Sequence, residues 1–128
     1  MRDGYYSAAA ESFNREGWKA FITIYVRNDK IVTAEYNARN ASGLILSWDV
    51  QSLRQLKTKM RIHPSRVVRE YTQDLLNKQS PENIRCIPGD NYIYDSFMQL
   101  AAAAIAKAHS GDRSLAKVHL AHGPSILQ

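Results

Sequence analysis

WKAFITIYVRNDKIVTAEYNA, Trp18 to Ala38, reads as a β-hairpin. Trp18, Ala20, Ile22, Ile24 and Val26 alternate with Lys19, Phe21, Thr23 and Tyr25, the period of two that a strand imposes on its side chains. One face is therefore apolar and the other amphipathic. Asn28-Asp29-Lys30 supplies turn chemistry, and Ile31 to Ala38, with Val32, Thr33 and Tyr36, forms the returning strand. Gly4 to Ala10 is a shorter strand beside the hairpin, joined by a polar loop that ends at Gly17.

Beyond Ala38 the pattern changes. Asn37 to Gly43 is polar and turn-rich and ends the sheet. Val50 to Arg61 places Leu53, Leu56 and Met60 at helical spacing among basic residues. Pro64 opens a second helix whose inner stripe is Val67 or Val68, Tyr71 and Leu75, before Ser80-Pro81 stops it. In the third helix Ser96 and Gln99 form a capping box, followed by Phe97, Leu100, Ala101, Ala104, Ile105 and Ala108, and Gly111 ends it. Its four consecutive alanines, Ala101 to Ala104, permit close approach of the sheet. Strands followed by helices indicate an α+β domain, a small antiparallel sheet with helices packed on one face, over residues 1–112. Residues 113–128, with Gly123-Pro124, read as a tail.

Composition narrows the function classes. At 128 residues the chain suits one domain with its own core, and no stretch reaches the ~18 apolar residues of a membrane span. Cys86 is the single cysteine, so no intramolecular disulfide forms. Met1-Arg2-Asp3 leads straight into a strand, so the expectation is a cytoplasmic protein or one whose export segment lies outside this sequence. The net charge of +5 is uneven, since Arg54, Lys57, Lys59, Arg61, Arg66 and Arg69 all precede Glu70. Such a run serves as a solvated helical face or attracts a polyanion, an anionic lipid or a phosphate-bearing ligand. No aromatic interleaves it and no nucleic-acid-binding signature is present, so no nucleic acid partner is expected. His119 and His122 lack a third ligand, and no metal site is expected. No catalytic arrangement of Ser, His and Asp, Walker loop or dinucleotide fingerprint occurs, so an independent enzyme is not expected.

The stretch IPGDNYIYDSF, Ile87 to Phe97, sets a Pro-Gly turn, polar residues and two tyrosines just before a helix, where exposed amides can hold an anion such as phosphate. The order DGYY, GWKAFITIYVRNDKIVTAEYNARNASG, SWD, Met60, a Pro-led helix and a glycine loop before SF and an alanine-rich helix resembles the small FMN-binding domain family. This is the family of flavin-carrying bacterial lipoproteins and of the C subunit of the sodium-translocating NADH:quinone reductase. The resemblance spans Asp3 to about Asp112.

What the resemblance implies is an electron-passing domain holding FMN near the cell envelope, often with the flavin phosphate esterified to a threonine in a Ser-Gly-Ala-Thr motif. In register with that motif stand Pro88, Gly89, Asp90 and Asn91. Asn91 has no hydroxyl to attack an activated flavin nucleotide, and no Ser or Thr lies between Pro88 and Asp95, so covalent flavinylation is not expected. Arg85 stands where members carry an acid, and Ile93 and Tyr94 replace small serines.

The implied noncovalent site has Gly89 allowing close backbone approach, Asp90 and Asn91 in the loop, amides near Ser96 at the phosphate, Tyr92 or Tyr94 on the ring, and Trp48 with Asp49 near the flavin. Its redox partner protein is unspecified, and membrane association would run through a segment outside this chain. In the alternative, the loop is only a tight turn. The chain is then a cofactor-free interaction module, using its basic helix and tail to engage an acidic partner or anionic surface.

Overall fold

The computed structural model describes residues 1–14, 17–46, 49–59, 63–90 and 93–120; of residues 50, 52, 56 and 59 only the backbone is described. Strands β1 (Gly4–Ala10), β2 (Lys19–Arg27) and β3 (Lys30–Arg39) precede helices α1 (Val50–Lys59), α2 (Pro64–Lys78) and α3 (Tyr94–Ser110), and β4 (Ala116–Val118) follows. The fold is α+β, with the sheet in the order β3-β2-β1-β4.

The hairpin forms as its sequence predicts. Asn28 and Asp29 both take positive φ, 52° and 62°, which is the conformation of a two-residue hairpin turn whose twist matches its strands. Ile22, Ile24 and Val26 are fully buried on one face, and Ile22 pairs with Tyr36 across the strands. Near the turn the register skips Val32, which is 49% exposed, so Ile31 as well as Tyr36 faces the core despite their odd spacing. Gln79, the left-handed residue ending α2, completes this edge. Its side chain accepts from the Ile31 amide at 2.7 Å and donates to the Ile31 carbonyl at 3.0 Å.

The helices cover one face of the sheet. α3 lies over β1 and β2, and α2 over β3. Ala101, Ala104 and Ala108 are fully buried, so α3 meets the sheet through its smallest side chains. In α2 the inner stripe is Val67, Tyr71 and Leu75, which resolves the alternative between Val67 and Val68. On the opposite sheet face Tyr5 and Tyr25 stack with centroids 4.6 Å apart, and Ser7 and Thr23 share a hydrogen bond of 2.8 Å.

Three expectations are corrected. The sheet is mixed rather than wholly antiparallel, because β4 pairs parallel with β1. The chain leaves α3 at Gly111, whose φ of 70° suits a helix end, and returns alongside β1. The boundary at residue 112 therefore falls inside the domain: Ala116–Val118 belongs to the sheet, and Arg113 donates to the Asp3 carbonyl at 3.1 Å. Residues 121–128 lie outside the described residues. Ser96 is not a helix cap, since α3 begins at Tyr94; the Ser96 hydroxyl instead meets the Tyr36 hydroxyl at 2.5 Å and donates to the Ile93 carbonyl.

An aromatic cluster joins α2, α3 and β3. Phe97 lies 5.5 Å from both Tyr36 and Tyr71, and Tyr94 packs 5.7 Å from Tyr71. Burial pushes the Tyr71 phenol well above its ordinary value, and its bond to the Asp90 carboxylate pushes further in the same direction. Burial also raises Tyr36, outweighing the opposing effect of its Ser96 bond.

Two predictions test this core. Ala104→Leu forces extra methylenes between α3 and the sheet and should lower unfolding stability by about 1–3 kcal/mol, measured by denaturant titration. Because the folded state holds the Tyr36 and Tyr71 protons more tightly, the stability they confer is complete below about pH 10 and is lost as pH rises beyond it. Phenolate absorbance from these two should appear only as far-UV circular dichroism collapses. Ordinary titration of all seven tyrosines in a native fold would contradict this.

Candidate functional site

The loop before α3 is organised by its turn residues. Pro88 and Gly89 occupy the two central positions of a turn closed by the Asp90 amide donating to the Ile87 carbonyl at 3.0 Å, and Gly89 takes φ 95°. A positive φ at the second central position favours glycine, and proline suits the first. Tyr71 then anchors the loop from α2. Its hydroxyl accepts from the Ile87 amide at 3.0 Å and donates to Asp90 Oδ2 at 2.5 Å.

Asp90 is 3% exposed, and its second carboxylate oxygen accepts from the Ile93 amide at 2.8 Å. The carboxylate therefore faces the core and ties the loop to the start of α3. A negative charge there also complements the positive end of the helix. Tyr94 reaches back across the same loop, its hydroxyl donating to the Ile84 carbonyl at 2.6 Å. Cys86 donates its thiol to the Asp90 carbonyl at 3.4 Å; burial pushes this thiol up, which disfavours the thiolate.

These contacts change the parts assigned from sequence. Gly89 keeps its role in the turn. Asp90 and Ser96 direct their side chains into the core, where they fix the loop and the helix start; the part assigned to the backbone amides near Ser96 does not depend on that side chain. Tyr94 packs against Tyr71 and holds the loop backbone, which accounts for its ring. Asn91, Tyr92, Trp48 and Met60 lie outside the described residues. Asp49 stands immediately before α1, its carbonyl accepting from the Leu53 amide at 3.1 Å.

Beside the loop lies a cavity of about 290 Å³ bounded by β3, α1, α2 and Ile93. Its walls include Leu46, Leu53, Val68 and Ile93, and Asn37, Ser65, Arg69 and Thr72 bring polar groups to it. Thr72 donates its hydroxyl to the Val68 carbonyl, whereas Ser65 and Arg69 are exposed. At the near end of α2, His63 Nδ1 accepts from the Ser65 amide, and the His63 carbonyl accepts from the Arg66 and Val67 amides. That helix start is thereby satisfied from within the chain.

An apolar chamber with a few polar groups at its mouth is the general form of a small-molecule site. Sequence reading missed most of this lining. The half-buried Val68 beside the buried Val67 was the available signal, because a second apolar residue off the core stripe needs another surface to cover. Among the described residues no group of three or more His, Cys, Asp or Glu side chains could hold a metal ion, and no helix is long and apolar enough to cross a membrane.

No family model matches the chain. It is 28% identical over 111 residues to a 15 kDa lipoprotein of Treponema pallidum (strain Nichols), across 87% of this chain and 79% of that protein. Among solved structures, the crystal structure of a Clostridium perfringens protein superimposes with a TM-score of 0.84 at 26% identity, covering 94% of this chain and 98% of that one. A solution NMR structure from Clostridium thermocellum covers the same shares, 94% and 98%, at 26% identity and a TM-score of 0.57. The chain thus shares its small α+β fold with these two solved structures over nearly its whole length.

Proposed function

We propose that this chain is a noncovalent FMN-binding domain of the cell envelope that takes part in electron transfer. The observation that carries the reading is the cavity of about 290 Å³ bounded by β3, α1 and α2, to which the loop before α3 contributes Ile93. Leu46, Leu53, Val68 and Ile93 suit the faces of a flat aromatic ring. The volume sits just below the ~300–1,000 Å³ usual for ligand pockets, so the reading places only the ring inside, with the charged tail beyond the mouth.

Arg69 at that mouth supplies a cation for a phosphate, and Ser65 a hydroxyl. The inward turn of Asp90 removes the carboxylate that would repel such a phosphate. Flavin supplies the redox chemistry when bound, while the chain excludes water from the ring and sets the charge around it. An envelope setting is supported by the Treponema pallidum relative, which is named as a lipoprotein.

Protein titrated into FMN should quench or shift flavin fluorescence, and FMN should raise the thermal midpoint, by about 2.7 kcal/mol of stability at a hundredfold excess over Kd. Unfolding should release all the flavin. Val68→Trp should fill the cavity and abolish the effect while leaving the circular dichroism native, and Arg69→Gln should weaken binding about tenfold. Unchanged emission and midpoint at high FMN would overturn the reading, and flavin retained on the denatured polypeptide would overturn its noncovalent character.

A further inference from the structure

The uncovered face of the sheet carries a second concavity at the end remote from the hairpin turn, of about 350 Å³, and it brings together cations far apart in sequence. Lys19 of β2, Arg39 of β3 and Lys117 of β4 all line it. Strand register accounts for the convergence. Lys19 lies directly opposite Arg39, and Ala9 of β1, which pairs with Phe21 of β2, has Lys117 as its partner on the other side.

Like charges directly opposite on neighbouring strands destabilise a sheet, so the Lys19 and Arg39 pair is a cost carried by the fold. Aromatic rings offset part of it: the Lys19 ammonium sits 4.4 Å from the centroid of Phe13, and the Arg39 guanidinium 5.0 Å from that of Phe21. Among the described residues no ion pair joins a carboxylate to Lys19, Arg39 or Lys117; the ion pairs there are those of Met1 with Asp29, Arg66 with Glu70 and Lys107 with Asp112. Glu11 is the acid in the concavity, and its carboxylate lies 3.7 Å from His119 Nδ1. Among the described lining residues, three cations and one carboxylate give a charge of +2. Phe13 and Leu115, 43% and 44% exposed, stand at its edge.

We infer that this concavity binds a phosphate group carried on a molecule with an apolar portion, with Lys19, Arg39 and Lys117 as anion ligands and Phe13 and Leu115 against the apolar part. A phospholipid headgroup and a soluble organic phosphate share this chemistry. The site lies on the sheet face opposite the helices and is separate from the α1 and α2 cavity. It does not rest on the flavin reading.

The test uses the whole chain without FMN. One arm follows amide chemical shifts on adding glycerol 3-phosphate, and the other measures co-sedimentation with phosphatidylglycerol vesicles against phosphatidylcholine vesicles. Shifts centred on Lys19, Arg39 and Lys117 in the first arm support a soluble ligand; binding confined to the anionic vesicles supports a lipid headgroup. In whichever arm binds, Lys19→Gln with Lys117→Gln should weaken the interaction at least about tenfold. Glu11→Gln should strengthen it. Arg27→Gln with Lys30→Gln at the exposed hairpin turn removes the same net charge from another surface and should leave most of the binding intact. No binding in either arm would overturn the inference, as would an equal loss from the hairpin-turn variant, which would show response to net charge alone.

Discussion

A hairpin with one fully apolar face must be covered, and here the cover is a helix that approaches through alanines. The fully buried Ala101, Ala104 and Ala108 let α3 approach the sheet closely over β1 and β2. Close packing of this kind gains dispersion contacts and removes water from both surfaces. It also fixes where α3 begins. Phe97, one turn into the helix, then meets Tyr36 from the sheet and Tyr71 from α2, so the position of the second helix follows from that of the third.

The loop before α3 inherits this geometry. Tyr71 is held by the ring cluster, its hydroxyl holds Asp90 and the Ile87 amide, and Asp90 holds Ile93. Each buried polar group in that chain of bonds has a partner, which is the condition for burying it at low cost. The result is a preformed wall. Ile93 faces the cavity because the residues on either side of the loop are tied elsewhere, and Val68 faces it because Val67 and Tyr71 already fill the core side of α2.

Much of this architecture was legible in the sequence, for physical reasons that differ by element. The alternation from Trp18 to Val26 and the Asn28-Asp29 turn are local signals, as are the Pro88-Gly89 turn and the alanines of α3. Ser96 misled because a hydroxyl near a helix start usually caps its own backbone, whereas here Tyr36, 60 residues earlier, engages it. Asp90 was placed in the implied flavin loop because its partner Tyr71 lies 19 residues away. β4 is three residues containing one β-branched side chain, too short to show a period. Lys19, Arg39 and Lys117 show no clustering along the chain, since only strand register unites them. The cavity walls come from separated elements and needed the packing of α1 and α2 to be known.

The pairing of β4 with β1 bears on how the protein is made. Ala8, Ala9 and Ala10 find their last neighbours in Ala116, Lys117 and Val118, so the free edge of β1 stays open while everything between them is synthesised. Strand edges left exposed in this way are where nascent chains pair with the wrong partner. Three alanines make a weakly adhesive edge, with little apolar surface to recruit a stray strand. The small residues that suit the finished sheet thus also suit the interval on the ribosome, when the domain has a core to collapse around but has not yet received the segment that closes it.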